Sequence, residues 1–456
     1  MLATAPVDKK RQDRPKRLIR LGLRLARWTA VALVVLLLVI LFWFRNALYH
    51  RWVVFPREER AWRELRAQRQ PVLALGGWHE YRGILHAHSK YSHDSQVSFE
   101  EILQVLKSTG IDFICLSDHC ISGQANFDWQ WRGLHDGKLF IPGFEMKEGF
   151  MPFGANPGTV LSNQTESATL ARQIVEHGGV LFYAHPEEPR DWNRPELTGM
   201  EVYNIHADFK QYRGGLRSLI PEFLLNQDRY PDQFFRLIFQ RPIANVERWD
   251  NLNNTRHVTG IAGNDCHQNV GFRLICAGTD MIRLEDTSPK LRKTFKLNWL
   301  TRLGARICFG SLAPGRELLH IQLDPYERMG RFVNTHVLAH ALAEGEVLDA
   351  LRSGRVFIGF DLIADSAGFL WWADDGATQV PMGGSATLSS KSILRACSPI
   401  PCRFTVIQNG RPAYRAEGRR LEWAPVSAGK YRVEAELRVG AEWIPWVYAN
   451  PIELHN

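Results

Sequence analysis

The chain has 456 residues, 45% of them hydrophobic and 15 of them Trp, so it exceeds one ordinary domain and has material for substantial cores. Its net charge of +8 would suit a nucleic-acid partner, but residues 1–27 hold nine Lys/Arg against two Asp. That surplus of seven leaves one net charge for everything downstream, and a nearly neutral folded part excludes nucleic acid as the expected partner.

Residues 1–27 read as a basic cytoplasmic segment, and residues 28–44 as an uninterrupted apolar run without a charged residue. Seventeen residues sit at the short end of what spans a bilayer. No small-residue cleavage site follows, which points to an uncleaved single-pass anchor rather than a removed signal peptide. The basic flank predicts a cytoplasmic amino terminus, so the rest would lie outside, in a periplasm or extracellular space. Arg45, Arg51 and Arg57 weaken that bias without reversing it. Residues 45–75 form a juxtamembrane linker. Within it, the charged stretch 56–70 reads as a helix ended by Pro71, a solvated spacer or a membrane-surface element.

Residues 76–354 alternate short apolar strands with helical stretches, the pattern of an α/β barrel. His86 and His88 stand behind the apolar pair Ile84-Leu85, and on a strand such i,i+2 imidazoles share a face. Asp94 follows six residues later, within reach of a turn. Ser98 and Glu101 make a capping box for a helix that stops at Gly110. Residues 112–117 predict a second buried strand with His119 just past its end. Further strands at 138–144, 179–184, 199–204 and 258–264 lead into Glu145, into His185, through Glu201 and Asn204, and into Asp265 and His267. Several strands delivering His, Asp or Glu at the same end predict a metal site at the carboxyl ends of parallel strands.

As a set, His86-Ala-His88 with Ser92-His-Asp94, Ser117-Asp-His119, Pro142-Gly-Phe-Glu145, Ala184-His-Pro186 and Asn264-Asp-Cys-His267 resemble the signature of the polymerase and histidinol phosphatase (PHP) metallohydrolases. The resemblance covers roughly residues 80–355 and implies a distorted (β/α)7-type barrel holding two or three divalent ions, zinc, manganese or iron. It implies a first site of His86, His88, Glu145 and Asp265, a second bridged by Glu145 and using His185, and a third of Asp94, His119 and His267. Glu145 and Asp265 would thereby be catalytic. The family's second site takes another histidine soon after the glutamate, yet none stands between Glu145 and His177; either Asn156 or Glu201 replaces it, or the second metal is weakly bound or missing. The resemblance implies hydrolysis of a small-molecule phosphoester, with Arg190 and Arg273 as candidates to hold phosphate. The tail 446–452 resembles a branch of carbamate-ester hydrolases carrying a small β-domain, which keeps a carbamate or carboxylic ester as the alternative substrate. A metal-dependent binding or sensor protein is the non-enzymatic alternative.

Residues 190–256 interrupt the barrel pattern and either wall the site or pad the surface. Residues 335–351 read as a closing helical segment with His336 and His340 on one face. Residues 355–456 turn to strands only, with the alternating run 430–439 and a hairpin signal at Asn409-Gly410, predicting a small all-β sandwich. Trp371, Trp372, Trp423, Trp443 and Trp446 are core or a sugar-stacking surface, and Cys397 and Cys402 either pair or stay free.

Overall fold

The computed structural model describes residues 9–72, 74–212, 215, 218–287 and 290–456. The first eight residues of the basic segment lie outside them, as do four positions of the 190–256 insertion. The apolar run 28–44 sits inside a helix, Lys9–Tyr49, whose Leu and Val side chains there are exposed. Among the described residues it is the one helix long and apolar enough to cross a membrane. At its end the chain meets the body: the Asn226 amide donates to the Ala47 carbonyl (3.1 Å), and His50 Nδ1 lies 2.7 Å from Glu222 Oε1.

The charged stretch beyond is no solvated spacer. Helix Phe55–Ala67 buries Phe55, Trp62 and Leu65, which lie on one stripe of a 3.6-residue helix. Arg66 reaches across to donate to the carbonyls of Ile363 (2.8 Å) and Leu362 (2.7 Å).

Strands His79–Leu85, Phe113–Cys115 and Lys138–Ile141 run parallel, side by side. A second sheet sets Leu197–Asn204 parallel to both Val180–Tyr183 and Thr259–Gly263, with Phe150–Phe153 antiparallel at its edge. Most of these segments are short apolar runs buried throughout, as strands covered on both faces require. The two sheets touch through single bridges, Ala87 to Cys266 and Gly143 to Phe153, so the ladders form two sheets and not one continuous barrel ladder. Helix Phe99–Thr109 is capped as its sequence predicts. The Ser98 side chain accepts from the Glu101 N–H, Glu101 accepts from the Ser98 N–H, and Gly110 ends the helix at φ 71°.

The predicted helix at 335–351 is half strand. Asn334–Ala339 inserts antiparallel between His79–Leu85 and Val356–Gly359, and only Glu344–Ser353 is helical. Thr335 and Val337 are β-branched, and every residue of the strand is buried, so sheet packing overrides the helical pattern. His336 therefore lies fully buried, with Nδ1 2.7 Å from Glu80 and Nε2 2.9 Å from Asp361. Burial opposes its charge, but Asp361 and Glu80 outweigh this and raise its pKa from 6.5 to about 9. A raised folded-state value stabilises fully below pH 6.5 and is lost as pH climbs through 9. Thermal unfolding should thus lose about 3 kcal/mol across that window, and His336→Gln should flatten the dependence. An equal slope in the variant would assign the effect elsewhere.

Residues 271–322 also depart from the barrel pattern. Gly271–Gly278, Met281–Asp286, Leu291–Lys296 and Glu317–Gln322 form their own antiparallel sheet, with helix Trp299–Phe309 between its last two strands in sequence. Beyond residue 354 the chain is strand-rich, as expected, but the ladder does not break there. Val356–Gly359 pairs with Glu442–Ala449, carrying the sheet of His79–Leu85 on into fourteen strands. Asn409 and Gly410 turn the hairpin between Ile393–Gln408 and Arg411–Trp423 with φ of 49° and 79°. Trp371 and Trp446 are buried, their indoles donating to the Tyr431 and Ala364 carbonyls, so these two belong to the core. Cys397 and Cys402 lie along one strand, and all seven cysteines are free.

Candidate metal centre

Ligand-type side chains gather where the buried strands stop. Leu85 ends a strand and His86 follows; Tyr183 ends another, two residues before His185; Gly263 ends a third, two before Asp265. His119 and Glu145 lie opposite one another in a short parallel pair, Asp118–His119 with Phe144–Glu145. His86, His185 and Asp265 adopt φ of 64°, 50° and 50°, a left-handed conformation that costs any residue but glycine. The His86–His88 pair therefore does not converge by strand alternation. A turn at His86 re-aims the chain and brings the two rings to 5.2 Å between centroids.

All eight candidate ligands come together. His86 Nε2 is 3.3 Å from both Glu145 and Asp265; His88 Nε2 is 3.6 and 3.4 Å from the same two carboxylates. His185 Nε2 is 3.4 Å from each of them. Asp94 Oδ2 lies 3.3 Å from His119 and 3.1 Å from His267, and His119 Nδ1 lies 3.6 Å from Glu145. Donor atoms around one cation at about 2.1 Å would be about 3.4 Å apart in a tetrahedron. His88 Nε2 and Asp265 Oδ1 are buried and make no hydrogen bond, which leaves two lone-pair atoms facing the cluster. The donor set and its spacing fit divalent metal ions.

In the metal-free cluster the imidazoles divide: His88 is held neutral, whereas His267 and His185 hold protons that a bound cation would displace. Burial, then His267, pull the His88 pKa down to about 3, keeping that imidazole neutral as a ligand must be. Burial opposes charge on His267, but Asp265 and Asp94 raise it to about 10. Burial likewise opposes charge on His185, where Glu187 and Asp265 raise the value to about 9. Burial works against ionised Glu145 too, yet His86 and His88 hold it well below the usual carboxylate range.

Glu201 is buried beside the cluster, not in it. Its Oε1 meets His86 Nδ1 at 2.5 Å, and its Oε2 accepts from the His185 N–H (2.9 Å) and the Asn204 amide (3.0 Å). A Cβ on Gly263 would fall 1.9 Å from that carboxylate, so only glycine fits there. Asn156 packs against Gly178 and bonds the His177 carbonyl, away from the centre. Neither supplies the missing histidine at the second site. His206 was not anticipated as a site residue. It is buried, its Nδ1 is without a hydrogen bond, and it groups with Asp265 and His267. The signal was its place two residues past the strand Leu197–Asn204, the same place His185 and Asp265 hold after theirs.

Asp94, His119, Glu145, His185, Asp265 and His267 open onto a cleft of about 1070 Å³, with His86 and His88 behind them. Lys210, Arg190, Lys290 and Arg292 line it, Lys210 and Arg190 coming from the 190–256 insertion. Arg273 does not. Its guanidinium lies between Glu285 (3.5 Å) and Glu317 (3.7 Å), carboxylates of the neighbouring strands, which corrects its expected place at the site.

No protein-family model matches the chain, and no curated protein matches it. Among solved structures, it is similar to a two-domain protein from Bacteroides vulgatus containing a predicted PHP-like metal-dependent phosphoesterase. The identity is 12%, over 84% of this chain and 98% of that one, with a TM-score of 0.35. A likeness of that size carries no argument about chemistry. Nothing among the comparisons points to the carbamate-ester branch.

Proposed function

We propose that the chain is a membrane-anchored, metal-dependent hydrolase of the PHP type, acting on a phosphoester outside the cytoplasm. The observation that carries this is the convergence of eight His, Asp and Glu donors with two of their buried lone-pair atoms unbonded, on the floor of a cleft whose lining includes Lys210 and Lys290. His86, His88, Glu145 and Asp265 would hold one ion, His185 a second with Glu145 and Asp265, and Asp94, His119 and His267 a third. Zinc, manganese and iron all suit such nitrogen and oxygen donors. Ions bound there would lower the pKa of a water and polarise the phosphoryl oxygen. The protein's own part is to fix geometry and draw in the anion. Glu201 holds His86 by its far nitrogen, and Lys210 and Lys290 attract negative charge into the cleft, where Arg190 and Arg292 are paired with Glu188 and Asp286. The basic residues ahead of the apolar run favour a cytoplasmic amino terminus, with the catalytic part periplasmic or extracellular.

Metal analysis of the purified chain, with a screen of phosphomonoester, phosphodiester and carboxyl-ester chromogens, tests this. Phosphoester turnover lost on chelation and restored by metal is expected. Turnover of carboxyl esters alone would move the substrate class to the ester alternative, and bound metal without any turnover would point to a sensor. Inorganic phosphate should inhibit competitively. Loss of one charge-assisted contact in Lys210→Ala should weaken that inhibition about tenfold or more. Arg273→Ala should leave it unchanged, because Glu285 and Glu317 already occupy its guanidinium.

A further inference from the structure

Helix Trp299–Phe309 packs inside out. Its partly buried residues, Arg302, Ala305 and Phe309, follow the 3-and-4 spacing of one helix face, and that face rests on the protein. Trp299, Leu300, Leu303 and Ile307 form the opposite face, and they are 77%, 59%, 51% and 76% exposed. No residue of the helix is buried. The strand before it, Leu291–Lys296, is exposed throughout and adds Leu291 and Phe295. The segment that carries this surface, residues 290–316, holds seven Lys/Arg and no Asp or Glu; Arg292 is paired with Asp286 and Lys290 lines the cleft, which leaves Lys293, Lys296, Arg302, Arg306 and Arg316 beside the helix.

We infer that this arm docks on the surface of a lipid bilayer, with the Trp299–Ile307 face in the interface and the flanking cations against anionic headgroups. A helix with an outward apolar face bearing Trp and Leu, beside Lys and Arg, has the composition that lies in the plane of a membrane. Nucleic acid would account for the cations but not for four large apolar side chains turned away from the fold. The occupant is also within reach, since the same chain carries the apolar run 28–44. The inference rests on the membrane-anchored reading above, and the test separates the two.

Full-length protein is reconstituted into vesicles of phosphatidylcholine and phosphatidylglycerol that carry a headgroup-depth nitroxide lipid. Cys308 is the one exposed cysteine and takes a fluorescent probe directly, at the margin of the apolar face. A second sample places the probe at Ile307→Cys in a Cys308→Ser background. The expected result is several-fold stronger lipid quenching at position 307 than at 308, with the contrast shrinking when phosphatidylglycerol is left out. Adding Leu303→Asp to the Ile307→Cys sample should abolish the contrast. Equal, weak quenching at both positions would overturn the inference. So would a probe at 307 shielded from lipid and aqueous quenchers alike, which would mean that a second copy or another protein covers the face. Alkaline extraction of the same vesicles tests the anchor separately. Release of the protein would sink the spanning reading, while stronger quenching at 307 before extraction would still uphold the docking of the arm.

Discussion

Glu145→Ala should remove more than one equivalent of bound metal and reduce hydrolysis about a thousandfold. The two oxygens of Glu145 face different partners: Oε2 lies 3.3–3.6 Å from His86, His88 and His119, and Oε1 lies 3.4 Å from His185. No other candidate carboxylate except Asp265 stands among so many imidazoles. Two ions sharing one carboxylate would both lose a ligand, and the charge that balances them, in a single substitution. Removing Glu145 also leaves Asp265 as the one carboxylate facing the Nε2 atoms of both His86 and His185. A thousandfold is about 4 kcal/mol of transition-state stabilisation, within what a metal clamp supplies. Metal content by elemental analysis, read beside the rate, is the check. Full occupancy with intact turnover would end the bridging role and the mechanism with it. His119→Ala should lose less metal, because His119 is a ligand of the proposed third site alone, beside Asp94 and His267.

Glu201→Gln is expected to weaken metal binding by about ten- to a hundredfold although Glu201 touches no proposed ion site directly. One carboxylate orients two candidate ligands: it receives His86 through the ring nitrogen that faces away from the cluster, and it receives the backbone N–H of His185. The second contact falls at a residue held at φ 50°, a strained turn that needs a partner to persist. An amide keeps the volume and one acceptor but sets an N–H₂ against one of these donors, at a fully buried position. Competition against a chromophoric chelator would measure the affinity. An unchanged value would make Glu201 a packing residue. Gly263→Ala should mimic the loss, since the new methyl would displace the same carboxylate.

What could be seen in the sequence was local in its physics. Ser98 with Glu101, Gly110, and the Asn409-Gly410 turn are short-range hydrogen-bond and φ preferences, and each appears as its residues predict. The apolar run 28–44 is a matter of composition over one helix length. The eight ligand-type residues were legible because motif after motif put them just past an apolar strand, and the fold brings those strand ends together. The rest depended on partners far away in the chain. His336 belongs to a strand because two sheet neighbours, from residues 79–85 and 356–359, enclose it. Arg273 leaves the site because the strands paired on either side of it bring Glu285 and Glu317 to its guanidinium. Glu201 and His206 join the centre only when two parallel ladders set residue 201 beside 261 and near 86. Helix 299–309 has the same amphipathic pattern as a core helix; only its packing reveals that the apolar face points out. Periodicity says that a face exists, and nonlocal contact decides what it meets.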